Sequence, residues 1–183
     1  MIGLEQAIEI IEKGMLVVYP TETVYGIGGS ALDPHVLDLI REVKGTPPGA
    51  PVSIAVSGLD MARELAVLTH EEVLRRYLPG PFTFILPAAT DLKWGGTVGI
   101  RMPDSAIALQ LIDATGPITS TSANRHGSPP PSRPEEVNID LPVLAGPPCR
   151  YGTPSAVVDL TRDLPSILRE GPVPFQMEIW ELG

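Results

Sequence analysis

The chain has 183 residues, 43% of them apolar, and a formal charge of −9. That is enough apolar material for one ordinary core, too little length for several domains, and the wrong sign for a broad nucleic-acid-binding face. One cysteine, Cys149, excludes an internal disulfide and a thiolate-rich metal site, and its place beside Pro147 and Pro148 predicts a loop or packing role.

In chain order, Leu4, Ala7, Ile8 and Ile11 fall at helical spacing before Gly14, which predicts a helix over 3–13. MLVVYP then reads as a buried strand. In DPHVLDLIREVKG, Asp33 caps, Pro34 suits the first turn, and Val36, Leu37, Ile40 and Val43 form one apolar face before Gly45. PVSIAVS is a strand, and THEEVLRRYLPG opens a further helix with a capping box, Thr69 with Glu72. FTFILPA and TVGIRMP are strands, DSAIALQLIDATG a capped helix, and PITSTS, SAVVDL and SILREG late strands. GSPPPSRP reads as a surface loop, because strand signals resume after it. No apolar run reaches the ~18 residues of a membrane span, and the acidic, amphipathic start suits neither a signal nor a transit peptide. The expectation is one α/β domain over 1–183, built on a twisted, open, mixed sheet with flanking helices, cytoplasmic and without a membrane partner.

Two stretches carry chemistry. YPTETVYGIGG leaves the first strand, so Thr21, Glu22, Thr23 and Tyr25 lie at a strand exit, where α/β folds hold ligands. Its glycines 26, 28 and 29 match neither GxGxxG nor a P-loop, and a tight turn and a ligand-side role remain equal readings of them. GPITSTSAN crowds Thr119, Ser120, Thr121, Ser122 and Asn124 at a strand end; such side chains bind their own backbone or face a ligand as neutral donors. Lys44, Arg101 and Arg169 each stand where an element stops. Singly they read as solvated charges; together, beside the hydroxyl-rich segment, they describe an oxyanion site for phosphate or carboxylate. His35, His70 and His126 have no metal-ligand spacing, and no metal ligands are assigned.

PTETVYGIG, VKG, PGPFTFIL, VGIRMPD, PITSTSAN, SAVVDL and ILREG, in that order between residues 20 and 171, resemble the YrdC-domain family of threonylcarbamoyl-AMP synthases in its single-domain form. The resemblance implies a concave ligand face and the reaction of L-threonine, bicarbonate and ATP to threonylcarbamoyl-AMP and pyrophosphate. It also implies a downstream tRNA threonylcarbamoyl transferase complex as partner. Carried onto this chain, the threonine site comprises Thr23, Arg101, Ser120 and Ser155. The ATP site comprises Lys44, Thr46, Thr97, Ser122, Asn124 and Arg169, with Mg²⁺ arriving with ATP. Lys44, Arg101 and Arg169 are then the groups expected to act in catalysis. The chain departs from the family at Thr46, where Lys-x-Arg is usual, and at Ala55, where histidine is frequent. A carbamate formed from threonine and carbon dioxide is already anionic and attacks the α-phosphate without a strong base, which suits the absence of a histidine-centred constellation. Two other readings stand beside this one: a non-catalytic nucleotide- or RNA-binding module, and a carbamoyl transferase for another acceptor. The net charge predicts no tight tRNA binding by this chain alone.

Overall fold

The computed structural model describes residues 1–47, 52–89 and 96–177. Its helices are α1 (Leu4–Glu12), α2 (Pro34–Lys44), α3 (Leu59–Leu65), α4 (Glu71–Tyr77) and α5 (Ala106–Thr115). Its strands are β1 (Val17–Tyr19), β2 (Gly26–Gly28), β3 (Ser53–Ala55), β4 (Phe82–Pro87), β5 (Thr97–Arg101), β6 (Ile118–Ser122), β7 (Ala156–Asp159) and β8 (Ser166–Arg169). They form one sheet in the order β1-β2-β6-β3-β5-β4-β7-β8, with β3–β5 and β4–β7 parallel and the other pairs antiparallel. The mixed α/β sheet expected from the sequence is therefore present. Among the described residues no helix is long and apolar enough to cross a membrane.

Helix α2 is bounded as its sequence predicts: the Asp33 carboxylate accepts the His35 N–H at 2.9 Å, Pro34 opens the first turn, and Gly45 closes it at φ 65°. The capping box of Thr69 and Glu72 does not form. His70 occupies the N-cap position with φ 56°, which turns the chain before the helix begins, and the Thr69 hydroxyl donates to the Leu160 carbonyl instead. Helix α3 is unannounced in the sequence, because Gly58 precedes it without a capping side chain and seven residues carry little periodicity. Gly26 and Gly28 belong to β2 rather than to a tight turn, and Gly29 follows its end. A Cβ at Gly26 or Gly28 would lie 3.2 or 3.0 Å from the Tyr19 ring on the neighbouring strand, so glycine lets that ring lie flat on the sheet.

Strand alternation sorts the side chains into two faces. On one, Val18 and Ile27 pack with Val36 and Ile40 of α2, while Ile54, Phe84, Ile100 and Val158 pack with α3 and α4 through Ala62, Leu65, Val73 and Leu74. On the other, Val17, Tyr19, Ala55 and Ile118 pack against α1 and α5 through Ala7, Ile11, Ala108, Leu111 and Ile112. These two helices cover only part of that face; the remainder is a cleft. Residues 142–145 run beside β1, where Val18 N–H donates to the Pro142 carbonyl and Leu144 N–H to the Val18 carbonyl, both at 2.8 Å. That edge of the sheet is closed.

Candidate functional site

The cleft on the half-covered face has a volume of about 180 Å³. Strand register builds its floor. Gly26 of β2 lies opposite Ser122 of β6, and Ser120 lies opposite Ser53 of β3. Across the other half, Arg101, Thr83, Val157 and Arg169 stand in one row over β5, β4, β7 and β8. A two-residue period therefore delivers hydroxyls and guanidinium groups to the same face from strands far apart in sequence.

Arg101, its side chain 7% exposed, forms an ion pair with Glu22, whose side chain is 1% exposed. Its Nη2 donates to Glu22 Oε1 and to Thr21 Oγ1, each at 3.1 Å, and to Thr23 Oγ1, while its buried Nε has no partner among the described residues. Glu22 Oε2 accepts from the Asp104 N–H at 3.1 Å, immediately ahead of α5. Thr21 Oγ1 in turn donates to the Val24 carbonyl at 2.7 Å, so the strand exit is self-supporting as well as a wall of the cleft.

Arg169 reaches over β7: its Nε donates to the Ser155 carbonyl at 3.0 Å and its Nη2 to Ser155 Oγ at 3.4 Å, and that hydroxyl pairs with Thr83 Oγ1 at 2.9 Å. Burial first, and the nearby Arg101 charge second, hold the Arg169 guanidinium below its ordinary range. At the β6 end, Lys44 Nζ donates to the Ser122 carbonyl. Burial lowers the Lys44 ammonium from 10.5 to about 8. Asn124 donates through Nδ2 to the Ser128 carbonyl at 2.7 Å, and its buried Oδ1 is an acceptor without a donor among the described residues.

The structure thus brings Arg101, Ser120, Ser155, Ser122 and Arg169 to the lining of one cleft; Thr23 is fully buried behind Arg101, and Lys44 and Asn124 stand beside its β6 end, none of these three in the lining. Thr46 lies just past the end of α2, partly exposed, with its N–H on the Arg41 carbonyl. Thr97 is exposed at the far end of β5, roughly 13 Å along the strand from Arg101 at about 3.3 Å per residue. Neither lines the cleft. Within the hydroxyl run both readings hold at different residues: Thr119 is fully buried, accepting the Gly29 N–H at 3.0 Å, whereas Ser120 and Ser122 face the cleft.

Sequence reasoning missed Ser53 and Thr83 as lining residues and Glu22 as the partner of Arg101. Their only signal is cross-strand register, which one strand's pattern does not carry. Burial pushes the Cys149 thiol up to about 11, in keeping with a packing role rather than a nucleophile. Among the described residues no group of three His, Cys, Asp or Glu side chains could hold a metal ion. Chemically, two guanidinium groups line the cleft with Lys44 beside it, and Glu22 is paired with Arg101, so the cleft is suited to small anions, oriented by neutral hydroxyls.

Residues 9–171 match the family model for Sua5, YciO and YrdC, described as telomere recombination. A threonylcarbamoyl-AMP synthase of Pyrococcus abyssi is 38% identical over 180 residues, covering 91% of this chain and 53% of that protein. A putative threonylcarbamoyl-AMP synthase of Mycobacterium tuberculosis is 34% identical over 184 residues, covering 93% and 85%. Among solved structures, Pyrococcus abyssi Sua5 complexed with L-threonine superposes with a TM-score of 0.88 at 35% identity, covering 98% of this chain and 56% of the other. The chain thus spans about half the length of the archaeal protein and most of the mycobacterial one.

Proposed function

Because this chain belongs to the Sua5/YciO/YrdC family, we propose that it is an L-threonylcarbamoyladenylate synthase, a nucleotidyltransferase that joins L-threonine, bicarbonate-derived carbon dioxide and ATP into threonylcarbamoyl-AMP and pyrophosphate for tRNA modification. The observation that carries the reading is the pair of guanidinium groups, Arg101 and Arg169, facing the hydroxyls of Ser120, Ser122 and Ser155 across one small cleft. A volume of about 180 Å³ is below the ~300–1,000 Å³ of drug-sized pockets, so the enclosed part suits an amino acid and the nucleotide extends beyond it.

In this reading Arg101 meets the threonine carboxylate, with Thr23, Ser120 and Ser155 orienting the rest of the amino acid. Lys44, Ser122, Asn124 and Arg169 hold the phosphates, and Thr46 and Thr97 border the nucleotide outside the enclosed cleft. Mg²⁺ would come with ATP and neutralise phosphate charge; the Asn124 Oδ1, buried without a donor among the described residues, fits a cationic or N–H neighbour there. The chain's own task is positioning: it gathers a carbamate and an α-phosphate against their mutual repulsion and offers fixed positive charge to the departing pyrophosphate.

Pyrophosphate release from ATP and bicarbonate, measured with and without L-threonine, tests this. Threonine-dependent release is expected. Release with a different amine or acceptor would favour another carbamoyl transfer, and nucleotide binding without release would favour a non-catalytic module.

A further inference from the structure

Glu22 is the buried carboxylate among the described residues, and a reaction whose nucleophile is already anionic gives it no proton to move. It is nonetheless held at three points. Oε1 accepts from Arg101, Oε2 from the Asp104 N–H at 3.1 Å, and its backbone carbonyl from the Tyr151 N–H at 2.9 Å. A carboxylate held at both oxygens on an anchored backbone, with its side chain 1% exposed, stays in place when a ligand enters. Arg101 and Arg169 line the same small cleft, and two guanidinium groups so close repel each other. An arginine side chain free to rotate would relieve that repulsion by turning out of the row it shares with Thr83, Val157 and Arg169.

We infer that Glu22 is a positioning residue: it locks the Arg101 guanidinium against the wall made by Thr21 and Thr23, so that two cations share one cleft and Arg101 meets the ligand carboxylate in a single orientation. The inference rests on the proposed function, since the carboxylate in question is that of threonine. Glutamine at position 22 serves it poorly. Two donors, Arg101 Nη2 and the Asp104 N–H, require two acceptors, and an amide offers one.

Calorimetric titration of L-threonine and, separately, of ATP into the unsubstituted protein, Glu22→Gln, Arg101→Ala and the double variant provides the test. Glu22→Gln should weaken threonine binding roughly tenfold and change ATP affinity by less than about twofold. The double variant should bind threonine no more weakly than Arg101→Ala alone, because Glu22 acts through Arg101. Additive losses, equal losses for both ligands, or tighter threonine binding by Glu22→Gln would each overturn the inference; the last would make Glu22 a competitor of the ligand.

If Glu22→Gln does not fold, the unsubstituted protein decides. The Arg101 Nε–H resonance, assigned by its loss in Arg101→Lys, should be sharp and slow to exchange with solvent before threonine is added. Exchange as fast as that of the exposed arginines overturns the proposal. An unsubstituted protein that binds no threonine removes the proposed function and this inference with it, whereas threonine binding with any of the contrary results removes the inference alone.

Discussion

At Lys44, burial and charge oppose each other, and the outcome depends on pH. Burial lowers the ammonium from 10.5 to about 8. Below pH 8 the folded protein carries the full cost of burying the charge. Between about 8 and 10.5 the unfolded chain binds this proton and the folded one does not, so this group's effect on stability becomes more favourable as pH rises. Ligand affinity runs the other way. If Lys44 holds phosphate, ATP affinity should fall by up to about tenfold per unit as pH rises above 8, and Lys44→Ala should show no such slope. Titrations of ATP from pH 7 to 10 with both proteins check this; parallel slopes would remove Lys44 from the phosphate site. Thr46 is the companion case. A neutral hydroxyl there contributes at most one hydrogen bond of about 0.5–1.5 kcal/mol, so Thr46→Ala should cost ATP binding little. Thr46→Arg restores the fork usual in the family and should tighten ATP roughly tenfold if it reaches the phosphates. Weaker ATP binding by Thr46→Arg would show that this loop uses another phosphate geometry.

At the scale of elements, α2 carries Lys44 to the cleft, and its ends determine where that lysine stands. Removing the Asp33 cap should cost about 1 kcal/mol, which for a chain of this size lowers Tm by roughly 2–4 °C. Differential scanning calorimetry of Asp33→Ala checks it, and an unchanged Tm would mean that packing alone fixes the helix start. The same helix explains what was legible in the sequence. Its cap, first-turn proline and left-handed glycine are causes that lie within the segment they shape, so they can be read without a structure. Strand β2 and helix α3 were not legible in this way. Gly26 and Gly28 look like turn residues until the Tyr19 ring is seen lying over them, and α3 begins without any side-chain cap. Arg101, Ser120, Ser155 and Arg169 were named from motifs, and the fold brings them together. The Glu22 partner of Arg101 and the Ser53 and Thr83 lining depend on pairing among distant segments.

For the whole molecule, charge is unevenly distributed: the net value is −9, yet Arg101 and Arg169 line one cleft and Lys44 stands beside its β6 end. Small anions are drawn inward while a long polyanion meets a repelling exterior, and a 180 Å³ recess admits no duplex. Binding of tRNA to this chain alone should therefore stay weaker than micromolar at physiological salt, measured by fluorescence anisotropy. Submicromolar binding with a steep salt dependence would show a basic face that the charge distribution does not suggest.

Strand order also sets a timetable for a chain leaving the ribosome. The pair β1–β2 is complete once residue 28 has emerged, but it joins the rest of the sheet through β6, which begins at residue 118. Two strands alone are marginally stable, and at roughly 5–20 residues per second the nascent pair waits several seconds or longer for its central neighbour. The first two strands are thus committed to docking late, exposed to chaperones meanwhile. A stalled nascent chain whose emerged portion ends at Gly116 should remain protease-sensitive over residues 17–28, whereas the fully emerged chain should resist there. Protection of the shorter chain would mean that the N-terminal strands find a stable fold without β6.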